Sequence, residues 1–198
     1  MNTDIATSPD ASRDAIVEAA DALFYGRGIQ SVGMDDIRSA AGISLKKLYS
    51  VFPSKESLMV AVLASRHEIW ESGIADAVSL STTPRDKLLA MYDFLERWFG
   101  ESSFRGCGFI NAFGELGATS PTVVTIARDH KESFQRYVEE LVRATGLGGP
   151  EAEELAAELA LLAEGAQTTA AIAGTVTPAA VARRAATTLI DSALAARS

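Results

Sequence analysis

The sequence predicts an all-α fold of about nine helices, with a short helix-turn-helix unit ahead of a longer helical part. Apolar residues recur at spacings of three and four almost throughout, and no segment alternates convincingly with period two. Gly or Pro stands at most joints between the periodic segments. With 198 residues, 47% of them apolar, the chain has enough material for a core in one domain or two small ones.

The elements follow in order. The first eleven residues read as a frayed tail. In SRDAIVEAADALFYGRG (residues 12–28) Ile16, Ala19, Ala20, Leu23 and Phe24 form a helical stripe, and Gly26 and Gly28 mark its stop. Further helices are expected over Asp35–Ala41, Leu45–Val51, Lys55–Val78, Pro84–Gly100, Gly106–Gly117, Pro121–Thr145, Pro150–Gly174 and Pro178–Arg197. Pro84, Pro121, Pro150 and Pro178 stand where a first helical position is expected, which suits their fixed φ and missing N–H. Glu158, Glu164 and Gln167 interrupt the apolar run from Leu155 to Ala182, so it reads as buried helix and not as a membrane span.

One stretch runs against the charge of the whole. The formal net charge is -8, yet Ile37 to Lys55 holds Arg38, Lys46, Lys47 and Lys55 and no acidic residue. A short helix there ends at Gly42, a turn passes through Ile43 and Ser44, and a second helix starts at Leu45 with Ser44 placed to cap it. Gly42 can take the left-handed conformation of such a turn, while Ile37, Ala41, Ile43, Leu48 and Val51 or Phe52 supply the inward face. Lys46, Lys47 and Ser50 then lie on the outward arc, where lysines attract phosphates; a merely solvated charged face is the alternative.

The segment MDDIRSAAGISLKKLYSVFPSKESLMVAVL, Met34 to Leu63, is similar to the DNA-binding segment of the TetR/AcrR family of bacterial transcription regulators, in which a Tyr-x-x-Phe-x-x-Lys pattern leads into a long fourth helix. Tyr49, Phe52 and Lys55 fill that pattern. The resemblance implies base-edge or groove contacts from Leu45, Lys46, Lys47 and Ser50, and phosphate contacts from Tyr49 and Lys55. It also implies a DNA-binding domain over residues 12–55 and a ligand-binding and dimerisation domain over residues 56–198. Two positions depart from the usual pattern. Arg38 replaces a customary alanine, so its stem must lie along the packing surface with its charge reaching water. Gly33 takes an N-cap where Ser or Thr is commoner.

In the second half, Trp70, Met91, Trp98, Phe109, Phe113 and Phe134, with Asn111, Glu164 and Gln167 as polar anchors, are the expected lining of a small-molecule pocket; taken singly, each aromatic could equally fill the core. Leu159, Leu162, Val181, Ala185 and Leu189 form stripes on the last two alanine-rich helices. The resemblance implies a homodimer through these helices, although an intramolecular role for the stripes stays open.

Catalytic signals are sparse. No glycine-rich phosphate loop, His-x-x-x-His pair or short thiol–histidine motif is present, so no enzyme, metal site or cofactor is expected. Cys107 is alone and reads as a buried thiol, and His130 falls on a stripe with Ile126, Phe134, Tyr137 and Leu141, as a core histidine would. With no basic and apolar leader and no disulfide, a cytoplasmic protein is expected. The expected function is a ligand-responsive repressor that binds a palindromic double-stranded DNA operator as a homodimer and is released by a small-molecule effector, with no membrane partner. The alternative is a helical small-molecule-binding or adaptor protein that does not read DNA.

Overall fold

The computed structural model describes residues 9–196. Among them are nine helices and no strand: α1 (Pro9–Arg27), α2 (Met34–Ala40), α3 (Leu45–Val51), α4 (Lys55–Ser79), α5 (Pro84–Phe99), α6 (Gly108–Leu116), α7 (Pro121–Ala144), α8 (Gly149–Ala173) and α9 (Thr177–Ala195). Most ends fall within one or two residues of expectation. The start of α1 does not. Pro9 opens that helix, so residues 9–11 are helical, while the rest of the expected tail, residues 1–8, lies outside the described residues. Gly26 lies in the last turn of α1 rather than ending it; Gly28, at φ +87°, makes the stop.

Apolar burial collects in two clusters. One joins Ile16, Ala20 and Phe24 of α1 with Ile37, Leu48 and Phe52 of the helix-turn-helix and with Leu58, Met59, Val62 and Leu63 of α4. Phe109 and Ala112 of α6, and Val123 and Ala127 of α7, complete it. The other cluster packs Ile74 and Val78 of α4 against α5, the later turns of α7, α8 and α9. Only α4 and α7 run through both.

The second cluster is built largely on small residues. Ala152, Ala156, Ala160, Ala163, Ala166 and Ala170 are buried along α8, which lets neighbouring helices approach closely. Its large members sit at the centre of the bundle. Tyr92 is fully buried and donates its hydroxyl to the Leu159 carbonyl at 2.8 Å, and burial raises the phenol pKa well above its ordinary value. Bidentate arginine pairs fasten α9 over α5 at the surface: Arg183 Nε lies 2.6 Å from Asp93 Oδ1, and Arg85 Nε lies 2.6 Å from Asp191 Oδ1.

Leu159 corrects the expectation of a subunit contact. Its side chain is 0% exposed within the single chain, because α8 is covered on a broad face by α5, α7 and α9 and the middle of its leucine stripe turns inward. Leu162 and Leu189 are half-buried against the same core, Ala185 is half-exposed, and Val181 projects outward. Leu159→Ala should therefore cost about 2–5 kcal/mol in urea unfolding, as truncation of a fully buried leucine does, without changing the oligomeric state of the protein that remains folded. A clean shift to a smaller oligomer at unchanged stability would contradict the inward placement.

Candidate functional site

The helix-turn-helix is fixed by local devices. Gly42 adopts φ +66°, and no heavy atom lies within 4 Å of where a Cβ would stand, so glycine is required there by backbone conformation and not by space. The Ile43 amide donates to the Arg38 carbonyl at 3.0 Å and closes the turn. Ser44 then caps α3, its hydroxyl accepting from the Lys47 amide at 3.2 Å. Ile37, Leu48 and Phe52 are buried beneath the turn, with Ala41, Ile43 and Val51 packed beside them. Gly33 has no side chain to cap α2, and the Asp36 carboxylate compensates by accepting from the Gly33 amide at 2.9 Å. Arg38 reaches outward to Asp35 at 2.9 Å.

What remains outward on α3 is Leu45 (38% exposed), Lys46, Lys47, Tyr49 (46% exposed) and Ser50. Neither lysine forms an ion pair among the described residues. The Ser50 hydroxyl donates to the Lys47 carbonyl at 2.7 Å, which leaves its lone pairs facing solvent as acceptors. Lys55, at the start of α4 behind the Ser54 cap, is half-buried, with its ammonium 5.9 Å from the centre of the Phe24 ring. Desolvation lowers its pKa, opposed by the negative field of Glu115.

A seam ties this unit to α6. Glu115 accepts from the backbone amides of Ile29 and Gln30 at 3.0 and 2.9 Å, and a Cβ on Gly28 would approach its carboxylate to 3.2 Å. The Tyr25 hydroxyl donates to the Gly106 carbonyl at 2.6 Å and accepts from the Arg105 amide at 2.8 Å; burial raises its pKa. Arg66 of α4 lies over the Tyr25 ring at 3.6 Å and grips Asp21 of α1 through both carboxylate oxygens.

Three cavities adjoin α4. A cavity of about 440 Å³ lies between α1, α4 and α6, beside Phe24, Met59, Arg66, Asn111 and Glu115. Another, about 590 Å³, opens between α1, α4 and α5 over Ile69, Trp70, Phe94 and Trp98. The third, about 260 Å³, lies between α4 and α7. Trp70 walls both of the last two. In the third, Nδ1 of His67 stands 3.0 Å from Nδ1 of His130, so a proton is shared between rings from two helices. Nε2 of His67 is 3.2 Å from Glu71 Oε1, which also accepts from the Ser133 hydroxyl at 2.7 Å. His130 stacks on Phe109, centroids 3.6 Å apart and planes 8° from parallel, and its pKa is pushed down to about 3, first by burial and then by the charges of Lys131 and His67. Among the described residues no cluster of three or more His, Cys, Asp or Glu could hold a metal ion. No helix among them is long and apolar enough to cross a membrane.

Residues 16–62 match the model of "Bacterial regulatory proteins, tetR family". The chain is 26% identical to a TetR transcriptional regulator from Chloroflexus aurantiacus, whose crystal structure superposes with a TM-score of 0.81 over 92% of this chain and 95% of that one. In residues 16–62 and in its fold this chain is similar to the TetR family. The TetR-family regulator from Cytophaga hutchinsonii, 16% identical, shares the fold at a TM-score of 0.83 over 94% of this chain and 96% of its own. Two curated relatives come from Mycolicibacterium smegmatis. The transcriptional activator FasR is 36% identical over 44% of this chain and 42% of its own length, and the transcriptional repressor KstR2 is 28% identical over 46% and 45%. The match thus spans less than half of either relative.

The expected effector residues do not converge on one cavity. Trp70 and Phe134 line the 260 Å³ cavity, and Trp98 the 590 Å³ one. Phe109 is buried behind His130. Met91 is sealed in the core, and Gln167 is buried with its amide donating to the Ala163 carbonyl at 3.3 Å. Glu164 pairs with Lys131 at 3.3 Å. Asn111 borders the 440 Å³ cavity and donates to the Arg105 carbonyl, whereas Phe113 is 52% exposed on the outer side of α6. Cys107 is buried at the N-cap of α6, with the Lys131 ammonium 3.7 Å from its sulfur. Sequence reasoning set His130 on a core stripe and singled out neither Glu71 nor Ser133. The available signal was local, since His67/Glu71 at i,i+4 and His130/Ser133 at i,i+3 each share a helix face.

His130 has a folded pKa of about 3 against an ordinary value of 6.5, so as pH falls through that window the unfolded chain binds a proton that the native chain refuses. Stability from this site is therefore complete above about 6.5 and declines toward 3, by up to about 1.4 kcal/mol per pH unit. His130→Gln should unfold with a shallower acid slope than the parent by about that amount in parallel urea titrations, and identical slopes would show that His130 titrates normally.

Proposed function

We propose that this chain is a DNA-binding transcription regulator of the cytoplasm that acts as a homodimer on a palindromic operator and is released from it by a small molecule. The observation that carries this reading is the outward face of α3: Lys46 and Lys47 unpaired, with Leu45, Tyr49 and Ser50 beside them, on a helix held rigidly by its cap and its turn. In the reading, Lys46, Lys47, Leu45 and Ser50 face base edges, while Tyr49 and Lys55 meet phosphates. Residues 12–55 serve as the DNA-binding unit and residues 56–198 as the effector-binding and dimerising part. Of the two curated relatives one is an activator and the other a repressor. Repression is proposed because occupancy of an operator suffices for it, whereas activation needs a further partner.

Dimerisation is proposed through α8 and α9. Leu161 (70% exposed) and Val181 (49% exposed) border an apolar groove of about 420 Å³ that also takes in Leu162, Gly165 and Ala185. Small residues at its floor allow close helix approach, and a two-fold contact would set two α3 helices toward successive major grooves. Leu189 is proposed for the margin of that contact and Leu159 is left out of it. The effector cavity is assigned to the space between α4 and α7, where Trp70 and Phe134 supply apolar walls and the polar groups stand at one edge.

Titration of duplex DNA binding against salt tests the first half. Lys55→Ala should weaken all duplexes alike and lower the salt slope by roughly one unit, and Lys47→Ala should instead alter discrimination among operator variants. A salt-insensitive wild-type protein would leave the adaptor reading instead. For the second half, Val181→Glu introduces an unpaired charge into the proposed contact at a cost of several kcal/mol, so sedimentation should show monomers with lost operator affinity. A wild-type protein that is monomeric at micromolar concentration would refute the dimer.

A further inference from the structure

We propose that the cavity between α4 and α7 takes a flat organic cation bearing N–H donors, an aromatic amine or amidine, with Glu71 as its counter-ion and Trp70 and Phe134 as its walls. The proposal rests on the reading of this cavity as the effector site and gives that site its chemistry.

Three observations converge. Glu71 is the one carboxylate on the cavity wall, and Ser133 and His67 both address the same oxygen, Oε1, at 2.7 and 3.2 Å. That leaves Oε2 with its acceptor capacity open, and the two donors fix the plane in which an incoming N–H pair must lie. The second observation is the aromatic corner. Trp70 and Phe134 meet edge to face, centroids 5.7 Å apart at 75°, with Tyr137 at the rim, so a flat ring entering beside one indole face presents its charge to π-density.

The third is that no lysine or arginine lines that wall. Lys131 is turned away to Glu164 at 3.3 Å. His130 is held neutral by burial, and its Nδ1 is spent on His67. Nε2 of His67 is directed at Glu71 and its Nδ1 at His130, so the Glu71 carboxylate, 53% exposed, is the charge that this cluster sets beside the apolar walls of Trp70 and Phe134. An anionic ligand would be repelled by that carboxylate, and a neutral one would gain nothing from its charge. A volume of about 260 Å³ holds a single substituted aromatic ring with room for a short chain.

The probe is benzamidine, whose amidinium offers two parallel N–H groups, with benzamide as the neutral ligand of the same shape. Trp98→Phe leaves Trp70 as the only indole, so quenching of its fluorescence reports occupancy directly, without DNA. Benzamidine should bind at least about tenfold more tightly than benzamide, and Glu71→Gln, at an unchanged melting temperature, should abolish that preference while leaving benzamide binding unaltered. Ser133→Ala, a second variant that removes only the orienting hydroxyl, should weaken benzamidine by a smaller factor. Equal binding of the two probes, a preference that survives Glu71→Gln, or no quenching by benzamidine at millimolar concentration would each overturn the proposal. Operator release is measured separately: benzamidine that binds with the expected preference but leaves DNA affinity unchanged keeps the cation site and defeats the effector reading.

Discussion

The continuity of α4 constrains everything else. Its 25 residues span about 37 Å at the helical rise, with Leu58, Met59, Val62 and Leu63 inside one apolar cluster and Ile74 and Val78 inside the other. Between these anchors the helix is held by polar and aromatic contacts instead: Arg66 to Asp21, His67 to His130, and Trp70 among Phe94, Trp98 and Phe134. An unbroken helix cannot flex there without losing its own hydrogen bonds. A displacement at the Trp70 end therefore tilts the Lys55 end, which is one capped turn away from α3. The polar middle is where such a tilt meets least resistance, since apolar packing at either anchor yields only by opening voids.

The link between α1 and α6 has a different chemistry. At the end of α6 Glu115 accepts from two loop amides that follow α1, and Tyr25 closes a hydrogen-bonded link to Gly106 before that helix begins. Hydrogen bonds are short-ranged and directional, whereas apolar contact tolerates sliding, so any motion of α6 against α1 strains the Glu115 pair before it disturbs the core. Leaving two amides without an acceptor costs about 1–3 kcal/mol each where water cannot replace the carboxylate. That is the scale of coupling that the proposed effector cavity and the proposed DNA-facing helix would need. The carboxylate is partly exposed, which lets water take over some of its bonds and keeps the barrier low.

How much of this could be read in advance follows from whether the information is local. The turn at Gly42, the Ser44 cap and the inward set of Ile37, Leu48 and Phe52 are written in a few adjacent residues, and so are the ends of most helices. The cavity is not, because it depends on bringing His67 and Glu71 of one helix against His130 and Ser133 of another, 63 residues apart for the histidine pair. Leu159 shows a different limit. In a helix as alanine-rich as α8, a leucine stripe is compatible with the interior or with a subunit contact, and only the packing of α5, α7 and α9 decides between them. The opening turn of α1 was hidden because Pro9 and the polar residues after it carry no apolar period.

The acid excess and the basic helix are reconciled by how the chain sorts its cations. Arginines are spent on carboxylates: Arg66 on Asp21, Arg38 on Asp35, Arg27 on Asp36 at 3.7 Å, Arg85 on Asp191, Arg183 on Asp93. The planar guanidinium fork suits those pairings, and each pair removes an acidic charge that would otherwise repel a duplex. Residues 1–60 hold six basic and eight acidic residues, a sum of -2, but with Asp21, Asp35 and Asp36 neutralised the field near α3 is set by Lys46 and Lys47. At a screening length of about 8 Å the remaining acids elsewhere in the chain contribute little there. With two unpaired lysines on its outward face, α3 offers few phosphate contacts in a single copy. In the proposed dimer a second copy would present the same face one helical turn away and double those contacts.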